Sequence, residues 1–234
     1  MAWILGHTTC ILTTLIWIVE GVELPKFIDL KKHYPGYAQY GGHYRDHDII
    51  RVTKAHATSV PHYTSALRLS YALNRIGEVH SIGANRQQLE QNNLESFTGA
   101  HGVKYIQDPI VFGPYLDLKY KSPVVIKPDG KDRQMIILNL YGRQGIVRLA
   151  TYKYKTADAH VALWDCDHFH ETRDWSLYRH LIAVEFWESP DSSCAESKED
   201  LAILKRPLRH SRKPHRRRHS KRSSPKLADL PSEE

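Results

Sequence analysis

The order of local patterns constrains this chain more than any single residue does. Between Ser65 and Arg75, apolar residues at 66, 69, 72 and 73 recur at helical spacing, joined by 67 and 71. Thr64 or Ser65 can cap that helix, and Gly77 can end it. Arg86 to Phe97, rich in Gln, Glu and Leu, gives a second predicted helix. Five β-type runs follow: Val124 to Ile126, Met135 to Leu140, Ile146 to Tyr154, His160 to Trp164 and Leu181 to Trp187. Pro123, Pro128, Gly142 and Gly145 punctuate them. Helices first and strands after predict an α+β domain with a mostly antiparallel sheet. Residues 22 to about 60 carry many Tyr, His and Gly with weak periodicity, so they predict loops and short elements.

The flanks read differently. Ile11 to Val19 is an apolar run too short to span a bilayer, and Val19 and Gly21 are small enough to precede a signal-peptidase cut at Gly21/Val22. The expectation is a signal peptide over 1–21 and a secreted, extracellular chain, although no Lys or Arg precedes the run. A buried strand or a membrane anchor is the alternative. Nothing else in the sequence is long and apolar enough for a transmembrane helix, so the mature chain is expected to have none. No Asn-x-Ser/Thr acceptor is present. The net charge of +7 is unevenly spread: Lys205 to Lys226 holds 11 Lys/Arg and no acid, which leaves 22 basic against 26 acidic residues elsewhere. A near-neutral domain over 22–190 and a basic, disordered tail over 191–234 are therefore expected. Loss of residues 1–21 removes Cys10 and leaves Cys166 and Cys194, which in an oxidising compartment form one disulfide or remain two free thiols.

The chemistry rests on two places. The first turn of a helix offers unpaired N–H groups and a positive dipole end, which stabilise a nucleophile and a developing oxyanion. Ser65 stands at such a position. His160 opens a strand-like run and is the candidate base. Taken singly, Ser65 reads as an ordinary N-cap and His160 as a satisfied histidine at a strand edge. The surrounding strings, Tyr63 to Asn74 (YTSALRLSYALN) and Ala159 to Asp165 (AHVALWD), change that balance when taken together.

In their pattern and order the two strings resemble the halves of the Cys/His site in bacterial type VI secretion amidase effectors of the fourth family. Phe186-Trp187-Glu188-Ser189-Pro190 is similar to that family's closing strand. The resemblance implies a papain-like cell-wall amidase fold, with N-terminal helices packed on the sheet. It places Ser65 where the family has its cysteine, and it implies no cofactor. It also implies an acidic third residue after the His strand, which falls at Glu171 or, alternatively, Asp167. Arg68, three residues beyond Ser65, is the candidate substrate-binding residue. The implied substrate is the peptidoglycan stem peptide, cut between D-glutamate and diaminopimelate. A thiol with a pKa of about 8.5 is easily ionised in such a site, whereas a hydroxyl stays protonated. The expectation is a secreted, antibacterial, amidase-like protein that acts on or binds peptidoglycan, with catalysis impaired by Ser65. One alternative is an active amidase using Ser65 and His160; another is a non-enzymatic secreted binding protein. A secretion signal on such a domain implies an effector gene captured by a host.

Two further features bear on metal and surface binding. Cys166, His168 and His170 would project to one face of a strand, yet no fourth ligand is evident and no metal site is expected. The Lys205 to Lys226 tail suits anionic surfaces such as wall polymers or lipid headgroups. It has no aromatic residues for stacking on bases, so nucleic acid is not the expected partner.

Overall fold

The computed structural model describes residues 22–56, 64–128, 134–153, 156–175 and 180–194. The expected signal segment, Tyr63 and the Lys205 to Lys226 stretch lie outside these residues. Six α-helices are present among them: α1 (Phe27–His33), α2 (Asp46–Thr53), α3 (Ser65–Ile76), α4 (Arg86–Gln91), α5 (Pro109–Tyr120) and α6 (Gln134–Leu140). A small ribbon pairs β1 (Phe97–Thr98) with β2 (Lys104–Tyr105). The main sheet holds β3 (Val124–Ile126), β4 (Arg143–Lys153), β5 (Thr156–Cys166), β6 (His168–Phe169) and β7 (Leu181–Glu188) in the order β3-β7-β4-β5-β6. Every pairing in it is antiparallel.

Alternation along the central strands gives the sheet two buried faces. Ile146, Val161, Leu163 and Trp187 pack with Leu30 of α1, Leu69 and Leu73 of α3 and Phe112 and Leu116 of α5. Val147, Leu149, Ala162, Trp164, Val184 and Phe186 face the other way, onto Ile136 and Leu140 of α6 and onto Phe169 and Trp175. The domain is therefore a sheet with helices on both sides.

Three segments differ from their sequence patterns. Met135 to Leu140, read as a strand, is helical: Ile136 and Leu140 stand four apart on the buried stripe while Met135 is exposed. Arg86 to Phe97 is helical only to Gln91, and Asn93 adopts a left-handed conformation at φ 51°. Pro109 to Tyr120 gave no helical period, because its apolar residues lie on all sides and Pro114 interrupts it. The helix survives because Arg148 of β4 serves the carbonyls near the proline. Its Nε donates to Pro109 O at 2.9 Å and its Nη2 to Ile110 O, the acceptor that Pro114 cannot reach, at 3.3 Å. Gly113 leaves room for that guanidinium, since a Cβ there would lie 2.8 Å from Arg148 Cζ.

A strap closes the domain. Cys166 and Cys194 form a disulfide. Ser189 N donates to Gln144 O, Gln144 N to Ser192 Oγ, and Phe27 N at the start of α1 to Asp191 Oδ1 at 2.6 Å. Ordered chain thus continues beyond residue 190, where the composition changes, because these bonds fasten it to β4, β5 and α1.

Candidate functional site

The short strand β6 pairs only with Trp164 and Asp165, so most of the outer edge of β5 is left open. The start of α3 fills that edge. Ser65 is the first helical residue and fully buried, and its Oγ accepts from Val161 N at 3.4 Å. Val161 directly follows His160, so the start of α3 meets the backbone of β5 one residue beyond the candidate base. His160 pairs with Leu149 across the ladder and shares its face with Ala162 and Trp164.

The imidazole is enclosed by rings. Trp175 lies 4.5 Å away at an interplanar angle of 30°, and Tyr37 lies 6.4 Å away at 26°. Among the described residues, neither His160 nitrogen has a hydrogen-bond partner. Burial, aided by the nearby Arg68 charge, pushes the imidazole pKa down to about 3. His160 is therefore neutral at physiological pH.

Arg68 organises the segment that covers the site. It is fully buried, and every N–H of its guanidinium is engaged. Nε donates to Thr64 Oγ1 at 3.0 Å, Nη1 to the carbonyls of Pro35 and Gly36, and Nη2 to Tyr44 O at 3.1 Å and Asp46 Oδ1 at 3.0 Å. The Arg68 Cζ also sits 3.7 Å from the Tyr37 ring centroid. The sequence assigned this arginine to substrate, but no donor remains for one. Its geometry is that of a clamp joining the start of α3 to residues 35–46.

The two candidates for a third residue point elsewhere. Glu171 Oε2 lies 3.9 Å from His170 Nε2, and the Glu171 carbonyl accepts from Tyr37 N at 2.9 Å. The Glu171 side chain packs on Gly36, where a Cβ would lie 2.4 Å from Glu171 Cβ. Asp167 is exposed and pairs with His168 at 2.6 Å. No group of three or more metal-binding side chains gathers among the described residues. Cys166, weighed as a ligand, is committed to its disulfide.

Beside the imidazole lies a pocket of about 180 Å³ whose wall includes Tyr37, Tyr40, Asp46, His160, Arg173 and Trp175. Ser65 is not on that wall. Tyr37, Asp46 and Trp175 had no signal in the sequence, because each reaches His160 or Arg68 through tertiary packing alone.

The buried, unpartnered imidazole has a cost that pH reveals. An ordinary histidine in the unfolded chain takes up a proton near pH 6.5, while folded His160 does so only near 3. Between those values the unfolded state binds more protons, so His160's contribution to stability is complete above about pH 6.5 and is lost as the pH falls toward 3. The expected slope from this residue is ~1 kcal/mol per pH unit. Urea unfolding at pH 7, 6, 5 and 4 is expected to show His160→Leu with a shallower decline than the natural chain. Parallel declines would remove His160 from the account.

No protein-family model matches the sequence, and no curated protein does. Solved structures do. The type VI effector–immunity complex Tae4–Tai4 from Salmonella Typhimurium aligns with 72% of this chain and 100% of that chain, at 17% identity and a TM-score of 0.54. Salmonella typhimurium Tae4 in complex with the Enterobacter cloacae immunity protein Tai4 aligns over 71% and 100%, at 16% identity and a TM-score of 0.53. The chain thus has the papain-like cell-wall amidase fold of the Tae4 effectors, helices and antiparallel sheet included.

Proposed function

We propose that this is a secreted protein that engages bacterial peptidoglycan stem peptides through an amidase-type site in which Ser65 occupies the nucleophile position and His160 that of the base. The observation that carries this reading is the contact between Ser65 Oγ and Val161 N, which sets the first turn of α3 against the residue after His160. A nucleophile there has the helix N-terminal dipole behind it, and the fold is that of amidase effectors. Hydrolysis is weak in this proposal, for two physical reasons. A serine hydroxyl needs a base to take its proton, and an imidazole that protonates only near pH 3 is far from the optimum for that task. Both reacting side chains are also buried in the resting state. The basic stretch Lys205 to Lys226 adds attraction to anionic wall polymers.

Co-sedimentation with purified sacculi tests the proposal. The mature chain is expected to pellet with them. A chain lacking residues 198–234 is expected to pellet less, with weaker salt dependence, and still above a mock protein. Absence of the mature chain from the pellet at low salt would refute the proposal.

A further inference from the structure

Between Arg68 and Arg173 runs a chain of ring and cation contacts with His160 in it. Arg68 Cζ lies 3.7 Å from the Tyr37 ring centroid, Tyr37 lies 6.4 Å from His160, His160 4.5 Å from Trp175, and Arg173 Cζ 5.4 Å from Trp175. The imidazole is the central member. In a nucleophile–His–acid site the third group is a polar partner that hydrogen-bonds the imidazole and fixes its orientation and tautomer. Among the described residues that partner is missing: neither ring nitrogen is hydrogen-bonded, and Glu171 and Asp167 engage other histidines.

We infer that Tyr37 and Trp175 are the positioning residues of His160, holding the ring by stacking in the place where related chemistry uses a carboxylate. This rests on the site proposed above, but the geometry is independent of any substrate. Two flat faces at small interplanar angles fix the imidazole plane. They leave the nitrogens without a fixed tautomer and keep water from the ring. The charged groups facing it act on its protonation as well. Arg68 of α3 opposes a second positive charge. Asp46 of α2, the acid on the pocket wall, already has Oδ1 tied to Arg68 and Thr64. Arg173 lines the same pocket from beyond Trp175. Tyr37 is itself pushed up to about 12 by burial, so it presents a neutral ring.

Trp175, like Tyr37, lines the pocket, and its truncation would let water reach the imidazole. The test is an NMR titration of the His160 ring in the full mature chain and in Trp175→Leu, Trp175→Phe and Glu171→Gln. The natural chain is expected to keep His160 neutral to below pH 4. Trp175→Leu is expected to raise its midpoint by at least two pH units toward the ordinary value near 6.5. Trp175→Phe restores a flat face and is expected to return the midpoint most of the way. Glu171→Gln is expected to leave the His160 signals unmoved. Two outcomes would overturn the inference: an unchanged midpoint in Trp175→Leu, or a displaced midpoint in Glu171→Gln. Both are read without peptidoglycan, so failure of the wall-binding proposal is seen separately, in the sedimentation assay.

Discussion

Arg68→Leu is expected to lower the stability of the domain by about 3–5 kcal/mol, because a fully buried guanidinium leaves several acceptors unpaired at about 1–3 kcal/mol each. The reason is the number of groups that lose their partner together. The carbonyls of Pro35, Gly36 and Tyr44, the Thr64 hydroxyl and one oxygen of Asp46 all receive the guanidinium. Leucine serves none of them, and each buried acceptor left unpaired carries a desolvation penalty. The Tyr37 ring loses the cation on its face as well. Lysine is not a substitute, because one ammonium with three donors cannot reach five acceptors arranged around a planar fork. Arg68→Lys is expected to lose most of the same stability. Urea midpoints at pH 7 measure both. A shift within about 0.5 kcal/mol, the usual range for a surface change, would show that Arg68 is not the clamp its bonds describe.

Ser65→Cys is expected to have the largest effect on chemistry. A thiol at the start of α3 loses its proton to solvent before attack, which the helix end favours, and His160 keeps the second task of passing a proton to the departing amine. The step avoided is the one for which His160 is poorly matched. Positioned proton transfer contributes about 10²–10⁴-fold to such reactions, so stem-peptide hydrolysis by Ser65→Cys is expected to exceed that of the natural chain by a factor in this range. The small volume change at a buried site is expected to cost less than about 1.5 kcal/mol in stability. The fold therefore remains intact for the comparison.

Much of this domain was legible in the sequence where local pattern and tertiary role agree. The α3 period is regular because one stripe faces the core, β5 shows itself through a run of buried apolar residues, and β7 through an apolar run that buries Val184, Phe186 and Trp187. The fold class followed from that order of elements. What the sequence concealed depends on partners far along the chain. Pro114 reads as a helix breaker until Arg148 is seen at the carbonyls around it. Met135 to Leu140 is rich in isoleucine and leucine, and only its packing under the sheet selects a helix. Ser65 and His160, the residues of the proposed site, stood out because each sits in a distinctive string. Arg68 was visible as a charge near the nucleophile position, but five acceptors from three separate segments decide what it does. The Tyr37–His160–Trp175 stack left no trace, because nothing in the spacing of aromatic residues encodes which rings meet.

The most direct test of the central claim is release of stem-peptide fragments from purified sacculi, read by mass spectrometry. It compares the natural mature chain with Ser65→Cys and with Ser65→Cys combined with His160→Ala. The expected result is little or no release by the natural chain, clear release by Ser65→Cys, and a marked loss of that gain in the double variant. Cleavage by the natural chain that equals or exceeds that of Ser65→Cys would contradict the claim that Ser65 disables the site. Silence from all three, in protein shown to be folded, would contradict the assignment of the site itself.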